Sequence, residues 1–238
     1  MKLTSFVYSS CGGRERNEDT VCTAQNGERS LFVLADGLGG HARGEVASQV
    51  AADAMVSAFP DAQPEALLAA VGAANQAVLE AQAESGQKNM KTTLVCVSID
   101  GARAVWAHIG DSRLYHFSGS EIKTKTRDHS VSFKKYLGGE ISYLDINHDP
   151  DRSSLLRVLG NETCQPEAQQ TELKPGDALL LCSDGFWEYV YDQEMVIDWL
   201  KSATPQQWVT YMLLRLIARI PVHNDNCSVI AVFAEDEP

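Results

Sequence analysis

The 238-residue sequence has no apolar run near the ~18 residues that a membrane-spanning helix needs. Its longest small-apolar stretch is only Ala66 to Ala74. The first residues, Met1-Lys2-Leu3-Thr4-Ser5, carry no apolar core of an export signal. The six cysteines (11, 22, 96, 164, 182 and 227) form no C-x-x-C pair, so reduced structural thiols are expected rather than disulfides or zinc ligands. Positive charge is scarce: 20 Lys and Arg stand against 32 Asp and Glu, a formal net charge of −12. That excess repels phosphate backbones and anionic lipid, which argues against nucleic acid or membrane as general partners. It suits a cation-binding protein, although acidic solvation alone explains it equally well. There is no P-loop G-x-x-x-x-G-K-[ST] and no histidine pair at zinc-hydrolase spacing. With 44% hydrophobic residues and no low-complexity tract, the expectation is a folded, soluble, cytoplasmic protein.

The most informative stretch is Leu31-Phe32-Val33-Leu34-Ala35-Asp36-Gly37-Leu38-Gly39-Gly40-His41. Five consecutive apolar residues read as a strand buried on both faces, and the strand runs straight into Asp36. A carboxylate at the mouth of a buried strand is costly unless something positive meets it. Glycines at 37, 39 and 40 leave room for a ligand to approach. An ordinary Asp-Gly hairpin turn accounts for the same residues.

Around this stretch, residues 3–8 and 20–23 read as strands. Helices are expected from Gly44 to Phe59, with Val46, Val50 and Ala54 on the buried face, and from Pro64 to about Glu84. Strands follow at 92–99, 104–109, 114–117 and 122–125. The polar stretch from Arg127 to about Ser154, with a short helix at Val131 to Leu137, reads as a flap or a plain surface excursion. A second buried strand, Ala178 to Cys182, ends at Ser183-Asp184-Gly185. Helices at 193–200 and 205–219 and a last strand at 227–233 complete the chain. Two helices in succession exclude a simple βαβ alternation and point to packed antiparallel sheets with helices outside.

Gly37-Leu38-Gly39-Gly40-His41-Ala42 fits G-x-G-x-x-A. Asp36 would oppose a pyrophosphate there, and no strand follows the helix, so dinucleotide binding is disfavoured. The stronger pattern is aspartate beside glycine or asparagine at strand ends: Asp36, Asp111, Asp184 and Asp225, with Glu18-Asp19 before another strand. If these acids converge they require a cation, and an all-oxygen set selects Mg²⁺ or Mn²⁺. If they cap unrelated loops they never meet. Spacing alone leaves the two readings even.

The set Arg14-x-x-Asn17-Glu18-Asp19, Ala35-Asp36-Gly37-Leu38-Gly39-Gly40-His41, Gly110-Asp111-Ser112-Arg113, Ser183-Asp184-Gly185 and Asn224-Asp225-Asn226 resembles, in order and over nearly the whole chain, the bacterial PP2C-type (PPM) metal-dependent serine/threonine phosphatases. Thr126-Arg127-Asp128-His129-Ser130 and Leu156-Arg157-Val158-Leu159-Gly160 resemble the family segments that bracket its flap. The resemblance implies an α+β fold: an α-β-β-α sandwich of two antiparallel sheets flanked by helix pairs. It implies one domain over 1–238 with a flap subdomain near 127–155.

The resemblance also implies a phosphatase that hydrolyses phosphoserine and phosphothreonine by attack of a hydroxide bridging two Mn²⁺ or Mg²⁺ ions, with no phosphoenzyme. Asp36 would bridge the ions, with the Gly37 carbonyl on one and Asp184 and Asp225 on the other. Glu18 and Asp19 would hold metal-bound waters, Asp111 a third, weaker ion, and Arg14 the substrate phosphate. Eukaryotic relatives commonly place a histidine two residues after the bridging aspartate, where this sequence has Leu38. His41 fits the bacterial D-G-x-G-G-H pattern instead, which implies a proton donor or a substrate contact. His108 reads as a packed structural histidine, and His129 and His148 as flap residues. Cys182 and Cys227 read as unreactive core. Implied partners are phosphoproteins, a cognate bacterial Ser/Thr kinase and forkhead-associated domain proteins, with the phosphatase a monomer. A silent phosphoprotein-binding scaffold and a hydrolase of small phosphorylated metabolites are the rival readings.

Overall fold

The computed structural model describes residues 1–38 and 43–237. Among the described residues eleven strands and six helices carry the architecture: β1 (Lys2–Ser10), β2 (Asp19–Asn26), β3 (Arg29–Leu38), α1 (Gly44–Ala58), α2 (Pro64–Ser85), β4 (Lys91–Thr92), β5 (Leu94–Asp100), β6 (Arg103–Ile109), β7 (Arg113–Ser118), β8 (Glu121–Lys125), α3 (Val131–Leu137), β9 (Glu167–Glu172), β10 (Ala178–Cys182), α4 (Asp184–Trp187), α5 (Asp192–Leu200), α6 (Pro205–Ile217) and β11 (Cys227–Glu235), of which β4 is only two residues long and α4 a single turn. One sheet runs β1-β11-β10-β7-β8 and the other β2-β3-β5-β6-β9, with β4 paired to β3. Every pairing is antiparallel. This is the expected α+β sandwich, and no βαβ unit occurs among the described residues.

The alternation of β3 explains the layering. Leu31, Val33 and Ala35 face α1 and α2, while Phe32 and Leu34 face the opposite sheet and meet Trp106, Leu179, Leu181 and Ile230. A strand covered on both faces has no polar side to offer, hence its unbroken apolar run. The strand also runs further than expected. It continues through Asp36, Gly37 and Leu38, so Asp36 is a strand residue facing Asp19 of β2 rather than a turn residue.

Helix α1 buries Ala47, Ser48, Ala51, Ala52 and Met55, one position along from the expected Val46, Val50 and Ala54 face, whose residues are only partly covered. Alanine on the inner face lets α1 approach both the sheet and α2 closely. The outer valines cover the edges. Helix α2 begins with proline at its first turn and ends at Gly86 in the left-handed conformation (φ 71°), which glycine adopts without steric cost. Strand β9 was not legible in the sequence because it is a polar edge strand, Glu-Ala-Gln-Gln-Thr-Glu, with little side-chain burial.

The other helical layer packs on the β10–β11 sheet. Trp208 of α6 is fully buried, meets Phe117 edge-on at 4.9 Å and donates its Nε1–H to the Met195 carbonyl at 3.0 Å. The 127–155 segment is closed at its base by the Ser130–Leu155 bridge and by Val131 N–H donating to the Ser154 carbonyl. It holds α3 and a 3₁₀ turn at Tyr143–His148. Trp208→Ala should lower stability by about 3–5 kcal/mol, because the buried ring and its hydrogen bond go together. Urea unfolding followed by far-UV circular dichroism measures the loss.

Candidate metal centre

Both sheets deliver carboxylates to one edge. Asp19 opens β2 directly opposite Asp36 of β3. Asp184 begins α4 just after β10, and Asp225 precedes β11. Asp111 lies in the loop between β6 and β7. The acids are close enough to perturb one another: Asp36 is affected by Asp19, Asp184, Asp111 and Asp225. The convergence that spacing left undecided is therefore present.

A backbone and hydroxyl lattice holds these acids. The Asn226 amide donates to the carbonyls of Cys11 (3.0 Å) and Arg16 (2.9 Å), while its oxygen accepts from Glu18 N–H at 2.8 Å. One buried side chain thus joins the 11–18 loop to the start of β11. Ser183 donates to Asp19 Oδ2 at 2.9 Å and accepts from Ser228 N–H at 3.0 Å. Thr93 N–H donates to the Asp36 carbonyl at 2.8 Å, and the Thr93 hydroxyl pairs with Ser112 at 2.8 Å. That pairing connects the β3 acid to the Asp111 loop. A side chain at Gly37 would strike the Gly44 carbonyl, 2.2 Å from an added Cβ, so glycine is required for β3 and α1 to touch here.

The electrostatics call for a cation. Burial, then Asp184 and Asp225, lifts Asp19 to about 7 despite hydrogen bonds from Ser228 and Ser183 that favour its charge. Burial, then Glu188 and Asp225, lifts Asp184 to about 7 as well. Asp36 and Asp111 are raised well above the carboxylate range, chiefly by burial and then by neighbouring acids. Asp36 and Asp184 keep part of their surface open at the rim, so water screens some of this repulsion; Asp19 and Asp111 are buried. Asp19 Oδ1 is buried with no hydrogen-bond partner. An orphaned carboxylate oxygen inside an all-oxygen set fits a hard divalent ion such as Mn²⁺ or Mg²⁺.

Arg14 pairs with Asp225 at 2.8 Å, with both side chains about half exposed. Glu188, which the sequence analysis did not single out, is the largest charge acting on Asp184. It sits four residues on, where its N–H donates to the Asp184 carbonyl at 2.9 Å. Helical i, i+4 spacing was the available signal, but the single turn α4 was itself unseen. His41 lies outside the described residues.

A second cluster, His108, His129 and Glu167, brings three ligand atoms within 4.8 Å of one another. It is a closed hydrogen-bond network. Gly110 N–H donates to His129 Nδ1 at 3.2 Å, which leaves the proton on Nε2, facing Glu167 at 3.2 Å. His108 Nε2 donates to the Arg127 carbonyl at 2.8 Å, and the two rings stack at 4.7 Å. His108 is thus the packed structural residue expected. The six cysteines are free, and burial pushes the Cys182 thiol well up.

The protein phosphatase 2C family model matches residues 9–212. The serine/threonine protein phosphatase PstP of Mycobacterium tuberculosis is 36% identical over 188 residues, which make up 77% of this chain. The match takes in only 36% of PstP's own length, so the chain spans about a third of that relative. The serine/threonine phosphatase stp of Listeria welshimeri is 35% identical over 200 residues, 79% of each chain. Among solved structures, the M. tuberculosis PstP/Ppp phosphatase superposes with a TM-score of 0.86 at 32% identity, covering 98% of this chain and 99% of that one. A PstP catalytic domain in complex with two manganese ions superposes at 0.83, with 31% identity and coverage of 98% and 99%. The chain belongs to the protein phosphatase 2C family.

Two groups whose native pKa is raised above the unfolded value of about 4 bind more protons folded than unfolded between there and about 7. Stability of the metal-free protein should therefore fall as pH rises through that window. Mn²⁺ should raise Tm more at pH 8 than at pH 5. Asp19→Asn should stabilise the metal-free protein at pH 8 by about 1–2 kcal/mol. Thermal scans at both pH values, with and without Mn²⁺, give the comparison.

Proposed function

We propose that this protein is a metal-dependent phosphatase of phosphoserine and phosphothreonine proteins, built as one domain over residues 1–238 with a flap near 127–155. The observation that carries the reading is the convergence of Asp19, Asp36, Asp111, Asp184 and Asp225 with an orphaned carboxylate oxygen at its centre. The two-manganese relative, at 31% identity over almost the whole chain, supports the choice of ion and number.

In this reading Asp36, the Gly37 carbonyl, Asp184 and Asp225 would hold the two ions, and Glu18 and Asp19 would hold water beside them. Asp111 would help hold a third, weaker ion. Two Mn²⁺ or Mg²⁺ ions, when bound, would lower the pKa of a shared water and neutralise the phosphoryl oxygens. Every other role falls to the chain. The carboxylates fix where the nucleophile stands relative to phosphorus, which supplies proximity and orientation. Arg14 turns from Asp225 to grip two phosphoryl oxygens, since its planar fork matches that geometry. His41, five residues after Asp36 in the sequence, donates the proton to the leaving seryl or threonyl oxygen or contacts the substrate.

Partners in this reading are phosphorylated proteins, the bacterial Ser/Thr kinase whose action is reversed, and forkhead-associated domain proteins among the substrates, with a monomeric phosphatase. A site at an open rim, with Arg14 half exposed, suits a phosphorylated loop better than a small metabolite that needs enclosure. Among the described residues no helix is long and apolar enough to cross a membrane.

Turnover of a phosphothreonine peptide should require Mn²⁺ or Mg²⁺, vanish on chelation and be lost in Asp36→Asn. Hydrolysis that persists in the variant and in chelator would sink the reading. Arg14→Ala should lower kcat/KM about 10–100-fold, mainly through KM, since a charged hydrogen bond contributes about 1.5–3 kcal/mol. Steady-state kinetics on the same peptide would show an unchanged KM if the phosphate is gripped elsewhere.

A further inference from the structure

Between the 127–155 segment and the start of α5 lies a cavity of about 550 Å³, within the range that small-molecule sites occupy. Its walls are strongly aromatic. Phe133, Tyr136 and Tyr143 line it from the flap side, and Trp187 and Tyr191 from the body of the protein. Leu137 and Leu144 also line it, and both are more than 60% exposed, an unusual position for large apolar side chains flanking an opening.

The charges facing this space are sorted. Arg113 is buried and closed by a two-pronged pair with Asp128 (2.8 and 2.6 Å). Lys125 is paired with Asp192 and lies 3.9 Å from the Tyr143 ring centre. Arg127 is exposed, lines the cavity and makes no ion pair among the described residues. In a protein of net charge −12, the one uncompensated charge at this cavity is therefore positive. Flat aromatic walls with a single free guanidinium select a flat ring bearing one negative group.

The cavity is also wired to the metal centre. Trp187 Nε1–H donates to the Asp111 carbonyl at 3.0 Å, and the Arg113 guanidinium lies 3.4 Å over the centre of the Trp187 ring. The indole that forms the cavity wall thus also fixes the backbone of an acid in the cluster. A ligand packed on Trp187 cannot move the ring without moving Asp111.

We propose that this cavity is a second ligand site, selective for an aromatic anion, and that its occupancy is transmitted to Asp111 through Trp187. The site itself is independent of the catalytic reading; only the transmission rests on it. The first arm uses naphthalene-2-sulfonate, titrated calorimetrically into the metal-free full chain, with neutral 2-naphthalenemethanol as its isostere. Saturable one-to-one binding is expected, weakened about tenfold or more by Arg127→Glu and by Leu144→Glu, with unchanged Tm in both. Those two exposed residues lie outside the acid cluster, so Mn²⁺ affinity in the absence of probe should also stay as in the wild type. Absence of saturable binding, or binding indifferent to both substitutions, overturns the site. A neutral isostere that binds as tightly as the sulfonate overturns the anion selectivity.

The second arm measures Mn²⁺ affinity by calorimetry with and without saturating probe. A shift of threefold or more is expected in the wild type and its loss in Trp187→Phe, which keeps a ring but no N–H donor. Wild-type Mn²⁺ affinity that ignores the probe overturns the transmission. If Trp187→Phe lowers Tm sharply, Leu144→Glu serves instead: it should abolish the shift by excluding the probe. A protein that binds the probe yet never hydrolyses phosphopeptide would count against the proposed function and leave the cavity site standing.

Discussion

Repulsion among buried carboxylates is the constraint on which the rest of the structure depends. Asp19, Asp36, Asp111, Asp184 and Asp225 come from both sheets and from loops far apart in the chain, and left alone they would push that edge of the sandwich open. The fold resists through groups that carry no net charge. The Asn226 side chain spans three backbone positions, Ser183 ties β11 to Asp19, and Thr93 with Ser112 spans from β3 to the Asp111 loop. Hydrogen bonds to neutral partners hold the geometry without cancelling the charge, so the attraction for a divalent ion is kept. A protein that satisfied these acids with buried arginines would be more stable and unable to recruit metal.

The arginines are placed accordingly. The buried guanidinium, Arg113, pairs with Asp128 at the base of the 127–155 segment, while Arg14, beside the acid cluster, is half exposed and among the described residues pairs with Asp225 alone. One anchors; the other can leave. The surrounding packing follows the same division. Alanine-rich α1 lies close against β3 and shapes the wall behind Asp36, whereas the aromatic layer around Trp208 supports the opposite sheet. The 127–155 segment is tied to that second sheet by the Asp128–Arg113 pair, and Arg113 lies over Trp187, which donates to the Asp111 carbonyl.

Much of this was legible in the residues. The apolar run ending at Asp36, the helix pair after it and the second apolar run ending at Ser183-Asp184 gave the two-sheet architecture, because burial on both faces leaves no alternative composition. The ordered acidic motifs gave the family. Other elements were hidden for identifiable reasons. Strand β9 is a polar edge, α4 is a single turn, and Glu188 acts only because that turn brings it back toward Asp184. The buried face of α1 was misplaced by one position because alanine carries little hydrophobic signal, although it packs best where helix and sheet approach closely.

The sequence by itself determined the chemistry available: an excess of carboxylate, glycine where backbones must touch, and two arginines, Arg14 and Arg16, just ahead of the first acidic motif. Whether those carboxylates meet was beyond it, since residues 19, 36, 111, 184 and 225 reach one edge only through antiparallel pairing across two sheets. Tertiary structure decided that, and with it the orphaned oxygen of Asp19, the raised pKa values and the aromatic cavity beside Trp187. The physical reason is that charge repulsion and cavity shape depend on distance in space, which local patterns of polarity do not encode.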